Sequence, residues 1–243
     1  MPDTVQLFIT CLVDSFFPEI GEAMVRVLNR AGVRVEFPAE QTCCGQPAFN
    51  AGLRSEARPM AMHTIKALEA APGDVIIPSG SCAAMVRHGY LELFKDDPAW
   101  LERAHALAKR TYEFTEYLVD VCGVSRLGAT WQGTITYHSS CHLRRSLGVD
   151  RQPLLLLENV QCGGFAELPE REDCCGFGGV FSVEHPELSA EFLKRKISNL
   201  EMTTAPTLVV ADTGCLMHIQ GGLIRQGKSQ RVVHIAEVLA NRA

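Results

Sequence analysis

The sequence predicts an α/β protein made of two tandem copies of a cysteine-rich domain, each with a small parallel sheet flanked by helices. Three observations support this prediction. Short apolar runs alternate along the chain with longer segments of helical periodicity. The second half of the chain repeats the first half at a nearly constant spacing. Eight of the ten cysteines belong to that repeat.

The repeat is defined by four pairs of matched segments. The pairs are residues 35–45 (VEFPAEQTCCG) with 166–176 (AELPEREDCCG), Cys11 with Cys141, residues 75–82 with 208–215, and residues 114–118 with 235–239. The first three pairs are separated by 130 to 133 positions and the last by 121. A match of this length between the two halves indicates a duplicated domain.

The smaller separation of the last pair means that the first copy carries about a dozen extra residues, around positions 93–110. Small and turn-forming residues at 123–128 indicate the linker between the copies. We therefore expect the first cysteine-rich domain at residues 1–125 and the second at residues 126–243.

The elements follow in the same order in both copies. In the first copy we predict a strand at 5–10, helix Pro18–Arg30, a strand at 33–37, a helix at 55–71, strand Val75–Ile77 and a further helix from Cys82. In the second copy we predict a strand at 134–137, a helix at 153–160, a strand at 165–168, helix Pro186–Met202 and a strand at 208–210. The strands are short apolar runs, whereas the helices carry apolar residues every three or four positions and three of them begin with proline. Strands that alternate with helices form parallel sheets covered by helices.

The repeated cysteines all come just after predicted strands. They form a first quartet of Cys11, Cys43, Cys44 and Cys82, and a second quartet of Cys141, Cys174, Cys175 and Cys215. Sites in parallel sheets form in the loops beyond the carboxyl ends of the strands. We therefore predict that each quartet gathers at one edge of its own sheet.

Four thiolates around one point suit either a structural Zn²⁺ or a [4Fe–4S] cluster. Zinc loops usually supply tight Cys-x-x-Cys pairs, whereas the gaps here are 31 and 37 residues in the first copy and 32 and 39 in the second. Adjacent cysteines can reach two irons of a cluster, and glycines such as Gly45 and Gly176 let backbone N–H groups approach its sulfurs. We predict two [4Fe–4S] clusters with the eight cysteines as ligands. Zinc at one site and simple burial of apolar thiols are the alternatives.

Two cysteines and three histidines stand apart from the quartets. Cys122 and Cys162 have no repeat partner, so we expect them in the core. His138 and His142 flank the first ligand of the second quartet, where they either donate N–H to cluster sulfurs or lie solvated in a surface turn. For His218, one helical turn after the last ligand, we favour a packing or outer role over ligation.

The composition excludes several classes of protein. The chain has 243 residues, of which 47% are hydrophobic and 21% charged, so it is globular rather than disordered. A net charge of −5 argues against a nucleic-acid surface. Its apolar runs are too short to cross a bilayer, and its first residues do not form a secretory signal, so we expect a cytoplasmic protein without direct membrane insertion. It also lacks the dinucleotide fingerprint G-x-G-x-x-G, the phosphate-binding Walker loop and the zinc motif H-E-x-x-H.

The repeated motifs also resemble those of a known family. They are QTCCGQPA from Gln41, PSGSC ending at Cys82, YHxxCH from Tyr137, CCGFGG from Cys174 and DTGC ending at Cys215. Together, over about residues 5–239, they are similar to the LutA/YkgE family of lactate utilisation proteins. The wider group is the CCG domain, which also occurs in the heterodisulfide reductase catalytic subunit and in glycolate oxidase iron–sulfur subunits.

The resemblance implies a function and partners. It implies one component of a three-part system that oxidises L-lactate, or another small 2-hydroxy acid, with a ferredoxin-like iron–sulfur subunit (LutB-like) and a LutC-like subunit as partners. The same eight cysteines are the ligands that it implies. The chain offers no hydride acceptor of its own, so we expect a subunit of an NAD-independent L-lactate dehydrogenase complex and assign no catalytic residue. A general base for the lactate hydroxyl is a separate need, which His138 or His142 could supply.

One departure from the wider group affects this interpretation. The heterodisulfide reductase version ends in Cys-x-x-Cys and uses a fifth cysteine, whereas this chain has Met85 and His218 at those places. The departure favours four-ligand clusters that carry electrons between subunits. The alternatives are a heterodisulfide- or quinone-reductase-like redox module and a zinc-stabilised interaction scaffold.

Overall fold

The computed structural model describes residues 4–242, and the chain divides into two compact units between Gly123 and Val124. The first unit contains β1 (Thr4–Leu7), α1 (Cys11–Phe16), α2 (Pro18–Arg30), β2 (Arg34–Glu36), α3 (Gln46–Asn50), α4 (Arg54–Glu69), β3 (Val75–Ile77), α5 (Gly80–Ala84), a π-helical turn (Met85–Gly89), α6 (Tyr90–Leu93), α7 (Pro98–Lys109), β4 (Thr111–Glu113), α8 (Phe114–Glu116) and a second π-helical turn (Tyr117–Val121). The second unit contains β5 (Thr134–His138), a π-helical turn (His142–Ser146), α9 (Arg151–Glu158), β6 (Gly164–Phe165), α10 (Phe181–Glu184), α11 (Pro186–Met202), β7 (Thr207–Val210), α12 (Thr213–Arg225), β8 (Arg231–His234) and α13 (Ile235–Ala240).

Each unit has one four-stranded sheet, and the two sheets share one topology. The strand order is β2-β1-β3-β4 in the first unit and β6-β5-β7-β8 in the second, and all the strand pairs are parallel. The predicted fold class, an α/β protein with small parallel sheets flanked by helices, is therefore confirmed.

The predicted elements agree best where the periodicity is long or the apolar run is fully buried. Helices α2 and α11 and strand β3 have the predicted bounds. Strand β1 ends at Leu7 rather than at residue 10, because the chain passes through an extended Thr10 into α1, which was not predicted. Strand β6 is two residues long, since it pairs only with the first two residues of β5 at the edge of its sheet.

The extra residues of the first copy form one helix. Helix α7 begins with Pro98, whose missing N–H is not needed at this position, and the side chain of Asp97 accepts a hydrogen bond from the Trp100 backbone N–H. Trp100 stacks on Phe94 with ring centroids 5.7 Å apart, and the Arg103 guanidinium lies 4.0 Å from the Trp100 ring centroid. The insertion is thus a capped helix anchored by aromatic contacts rather than an open loop.

The core of each unit lies between its sheet and the helices on both faces. All residues of β3 and β7 are buried, as expected for strands that are covered on both sides. Helix α2 buries a stripe that includes Ile20, Met24 and Leu28. No helix within residues 4–242 is both long enough and apolar enough to cross a bilayer.

The last strand of each sheet runs directly into a capped helix. Glu113 accepts hydrogen bonds from the backbone N–H groups of Thr115 and Glu116, and His234 accepts one from Ala236 in the matching place. Glu113 is fully buried, and its Oε1 has no hydrogen-bond partner among the described residues. Burial raises the pKa of Glu113 to about 8, against the opposing effect of its hydrogen bonds.

We expect Glu113 to make stability depend on pH. Between about pH 4.5 and 8 the folded chain keeps a proton on Glu113 that the unfolded chain releases. The contribution of Glu113 to the free energy of unfolding is therefore fully present below pH 4.5 and is lost as the pH rises towards 8. One such group changes the free energy of unfolding by about 1.4 kcal/mol per pH unit. Glu113→Gln, which copies the shape of the protonated acid, should remove this slope in urea unfolding at several pH values. An unchanged slope in the variant would contradict the assignment.

Candidate metal centres

The first quartet is assembled from three loops at the carboxyl end of the first sheet. Cys11 is the first residue of α1 after β1, Cys43 and Cys44 lie between β2 and α3, and Cys82 is the third residue of α5 after β3. The Sγ atoms of Cys11 and Cys43 are 3.6 Å apart, and those of Cys44 and Cys82 are 3.3 Å apart. The structure thus brings four sequence-distant thiols to one place.

The second quartet is built in the same way. Cys141 follows β5, Cys174 and Cys175 lie between β6 and α10, and Cys215 is the third residue of α12 after β7. The Sγ atoms of Cys175 and Cys215 are 3.3 Å apart, and a hydrogen bond joins the thiols of Cys141 and Cys174. All ten cysteines lie within the described residues and all are free thiols.

The thiols within each quartet perturb one another. A hydrogen bond with Cys11, helped by one with Cys44, lowers the pKa of Cys43 to about 3, and the same bond together with burial raises the pKa of Cys11. Hydrogen bonding with Cys141 lowers the pKa of Cys174 to about 2 in the second unit. The thiolate is the metal-binding form of cysteine. Each quartet therefore holds at least one sulfur in the charge state that a metal requires.

The last cysteine of each quartet sits in the first turn of a helix, Cys82 in α5 and Cys215 in α12. Hydrogen bonding with Cys175 lowers the pKa of Cys215 to about 6, with a smaller contribution from His138, while burial acts to raise it. Both cysteines are buried, so their sulfurs are shielded from water.

The glycine after each cysteine pair makes close packing possible. Gly176 has φ +93°, and a Cβ there would lie 2.6 Å from the Ser189 carbonyl oxygen and 2.9 Å from the Phe192 Cβ. Gly45 has φ +83°, and a Cβ there would meet the Met60 Cβ at 3.3 Å. The turn after each cysteine pair thus packs against α4 in the first unit and α11 in the second, with only backbone at the point of contact. Four soft sulfur donors with close backbone fit a [4Fe–4S] cluster or a zinc ion.

His138 is part of the second centre. Its side chain is fully buried, so the surface-turn interpretation is wrong for this residue: it is the last residue of the central strand β5 and points into the unit. His138 Nδ1 lies 3.0 Å from the Arg171 carbonyl oxygen. One ring nitrogen of His138 and the sulfurs of Cys175 and Cys215 lie within 4.8 Å of one another.

The other two histidines have different surroundings. His142 is half-buried, with Nδ1 3.7 Å from the Cys141 sulfur. His218 Nε2 lies 3.3 Å from the Ser189 Oγ, and its ring packs near Phe177 with centroids 5.8 Å apart. Burial lowers the pKa of His218. These contacts agree with the packing role favoured from the sequence for His218.

The two cysteines outside the repeat behave differently. Cys122 is buried, as predicted. Cys162 is only half-buried, so its predicted core position is wrong. It lies just before the edge strand β6, where its thiol donates to the Gly164 carbonyl.

Lys196 was not among the site residues predicted from the sequence. This lysine is 1% exposed, and its Nζ donates to the Glu170 carbonyl oxygen at 2.8 Å and to that of Arg171 at 3.4 Å. Burial lowers its pKa to about 8, while the charges of Asp173 and of the nearby cysteines act to raise it. The signal that could have found it is its place on the apolar face of α11, beside Ile197 and Leu200.

The first unit has neutral groups where the second has Lys196. Gly45 faces Met60 of α4, and Gly176 faces Phe192 of α11, so equivalent positions of the two helices are 132 residues apart. By this offset, Thr64 is the counterpart of Lys196. Thr64 is buried and interacts with the hydroxyl of Tyr90, which donates to the Cys44 carbonyl at 2.9 Å. The two quartets therefore share a framework but not an electrostatic environment.

Comparison with known proteins places the chain in a family. The model of the CCG cysteine-rich domain matches residues 5–87 and again residues 135–220, and these two stretches contain both quartets. Lactate utilization protein A of Oceanobacillus iheyensis is 49% identical over 235 residues, which cover 97% of this chain and 96% of that protein. The chain belongs to the family of lactate utilization protein A, whose members carry the CCG cysteine-rich domain. Two further members, lactate utilization protein A 2 of Bacillus cereus and protein A 1 of Bacillus anthracis, are 48% and 46% identical over 236 residues, 97% of each chain.

The family assignment confirms the resemblance seen in the motifs. The stretch between the two matches, residues 88–134, contains α7, the helix without a counterpart in the second unit. The family model therefore matches the two segments that carry the cysteine quartets and does not match the inserted helix.

We expect Gly176→Ala to loosen the second centre. The left-handed backbone costs an alanine roughly 1–2 kcal/mol, and the contact with the Ser189 carbonyl adds roughly 1–3 kcal/mol. Gly148→Ala is the matched control, because Gly148 has φ +72° but open space around its Cβ position. Urea unfolding and the metal content of each variant should show the larger loss for Gly176→Ala. Equal losses would contradict the close-packing argument.

Proposed function

We propose that this chain is an iron–sulfur electron-transfer subunit of a multi-subunit system that oxidises L-lactate to pyruvate. The observation that carries the proposal is the gathering of two complete thiol quartets, one in each sheet. The names of the relatives supply the connection with lactate. The proposed partners are a ferredoxin-like iron–sulfur subunit and a third subunit of the same system.

The sequence spacing of the ligands favours two [4Fe–4S] clusters over two zinc ions. Zinc sites usually take their thiolates from Cys-x-x-Cys pairs, whereas each quartet here combines one adjacent pair with two cysteines more than thirty residues away. Cys11, Cys43, Cys44 and Cys82 would hold one cluster, and Cys141, Cys174, Cys175 and Cys215 the other. When bound, each cluster supplies a one-electron carrier. Lactate oxidation releases two electrons, so two carriers in one chain match the demand of the reaction.

The residues near the quartets would control how these carriers behave. Burial of Cys44 and Cys175 excludes water from one side of each site, and the glycine turns let the backbone approach the sulfurs. Of the two histidines considered for acid–base work on lactate, His138 is fully buried and His142 is half-buried, so His142 is the more accessible.

A second candidate is zinc in the second unit, where it would stabilise an interaction scaffold. The observation that favours it is the buried set of His138, Cys175 and Cys215, because imidazole and thiolate together are common zinc ligands. The first unit has Phe8 where the second has His138, so this candidate applies to one centre only.

Metal analysis tests the proposal directly. Protein purified and reconstituted without oxygen should hold about eight irons per chain and give EPR signals after reduction. Cys44→Ser and Cys175→Ser should each remove about half of the iron, because the quartets lie in separate units. A protein that takes up stoichiometric zinc and no iron, or a single substitution that empties both centres, would overturn the proposal.

The link with lactate needs the partner subunits. In a mixture with the ferredoxin-like and third subunits, L-lactate should reduce the clusters of this chain, whereas L-lactate added to the chain alone should not. D-lactate and glycolate serve as substrate controls, since related systems use other 2-hydroxy acids. Iron-loaded protein that stays oxidised in the complete mixture would separate the metal assignment from the lactate assignment and overturn only the latter.

We expect Lys196→Met to lower the reduction potential of the second centre by several tens of millivolts. A nearby buried cation stabilises the more negative, reduced state, and methionine keeps the length of the side chain without its charge. Lys194→Met on the same helix is the control, because that ammonium is exposed and paired with Glu191. A redox titration followed by EPR measures both variants. Equal potentials in the two variants would contradict the electrostatic role of Lys196.

A further inference from the structure

The second quartet has a nitrogen donor that the first quartet lacks. His138 precedes Cys141 by three residues, and Phe8 stands at the same distance before Cys11. Both side chains are fully buried at the carboxyl end of the first strand of their sheets. The duplicated framework therefore accepts an apolar ring at this place, and the second unit has an imidazole there instead.

The hydrogen bond on one side of the imidazole fixes its tautomer. A carbonyl oxygen only accepts hydrogen bonds, so the contact of 3.0 Å with the Arg171 carbonyl places the proton on His138 Nδ1. The lone pair of the neutral ring then lies on Nε2. Histidines that bind metals commonly donate their other N–H to a backbone carbonyl in this way.

The carbonyl that orients His138 is itself held in place. The Ser139 backbone N–H donates to the Arg171 oxygen at 3.1 Å, and the Lys196 ammonium lies 3.4 Å from it. The same ammonium donates to the neighbouring Glu170 carbonyl at 2.8 Å. The ring orientation is therefore set by a buried network rather than by one contact.

The free nitrogen faces the sulfurs. His138 Nε2 is buried without a hydrogen bond of regular geometry among the described residues, and the ring lies close enough to Cys215 to help lower the pKa of that thiol. Leaving a buried polar atom unpaired costs roughly 1–3 kcal/mol, which calls for a compensating partner. Since Nδ1 is engaged with the carbonyl, Nε2 is the nitrogen available to the neighbouring sulfurs of Cys175 and Cys215.

We propose that His138 binds, through Nε2, the metal group of the second centre in place of one of the four thiolates, so that the two centres have different ligand sets. This inference rests on the proposed function for the presence of metal at the second quartet. It deepens that function, because a histidine among cysteine ligands raises the reduction potential of an iron–sulfur group. The second centre would then be the electron acceptor of the pair.

Pulsed EPR of histidine-labelled protein tests the proposal. The Cys44→Ser background, which empties the first centre, leaves the second centre as the source of the signal. Reduced protein with natural nitrogen should show a strong coupling to a histidine nitrogen, and this coupling should change when the histidines carry ¹⁵N. Iron at the second centre without a directly bound histidine nitrogen would overturn the inference and leave the proposed function intact.

His138→Asn is the matched variant. The asparagine amide can still donate to the Arg171 carbonyl, but it has no group at the position of Nε2. If His138 is a ligand, the coupling is lost in His138→Asn and in His138→Phe alike. If the histidine only positions the loop, the asparagine variant keeps the wild-type spectrum, which would overturn the inference. Phe8→His in a Cys175→Ser background is the reciprocal control for the first centre.

X-ray absorption at the metal edge separates the two proposals. A zinc-loaded second centre with one nitrogen at about 2.0–2.1 Å beside sulfurs at about 2.3 Å would support the role of His138 and overturn the cluster assignment for that centre. An all-sulfur shell would overturn the inference whichever metal is bound. Protein that holds no metal at the second quartet overturns both proposals.

Discussion

Parallel strands direct all their carboxyl ends to one edge of a sheet, and both units use that edge to collect thiols. In each sheet the two central strands are the first and third of the unit, and the second strand lies beside the first. The loops after these three strands therefore meet, although the cysteines that they carry are more than thirty residues apart in sequence. The helices and the buried core serve this convergence, because a shift of any one strand would separate the sulfurs that now lie 3.3–3.6 Å apart.

The duplication has kept the framework and changed what surrounds each quartet. The first unit has a phenyl ring and a threonine at the positions where the second has an imidazole and a lysine, and all four side chains are buried. Burying an ammonium costs free energy unless opposite charge or good hydrogen-bond acceptors compensate for it. Lys196 has two carbonyl acceptors, and the sulfurs of the second quartet lie near it. An anionic group at the second centre would offset the free energy that burying the Lys196 ammonium costs.

The fold and the positions of the thiols could be predicted because the sequence shows a repeat and periodic apolar residues. The other features of the sites depend on tertiary contacts, which the sequence does not show. The repeat identified all the cysteines that the structure gathers, and the apolar runs identified helices α2 and α11 and strand β3. Helix α1 and the edge strand β6 were missed or misplaced, since both are short and their bounds depend on the neighbouring strand. The burial of Lys196 goes against its residue type, because lysines are rarely buried, although its place on the apolar face of α11 was a signal for it. The pairing of His138 with a backbone carbonyl is likewise a contact across thirty-three positions.

One long helix in each unit, α4 or α11, contacts the chain on both sides of the cysteine pair, and the two units differ in these contacts. In the second unit, α11 presses on Gly176 just after the pair, while Lys196 binds the carbonyls of the loop just before it. In the first unit, α4 lies against Gly45 in the same manner, and His63 Nε2 binds the Glu40 carbonyl at 2.6 Å. His63 is exposed, so water screens any charge that it carries, whereas the buried charge of Lys196 acts on the sulfurs through a medium of low polarity. A side chain of the long helix thus binds the loop before the cysteine pair in both units, but only in the second unit does it place a buried charge near the sulfurs.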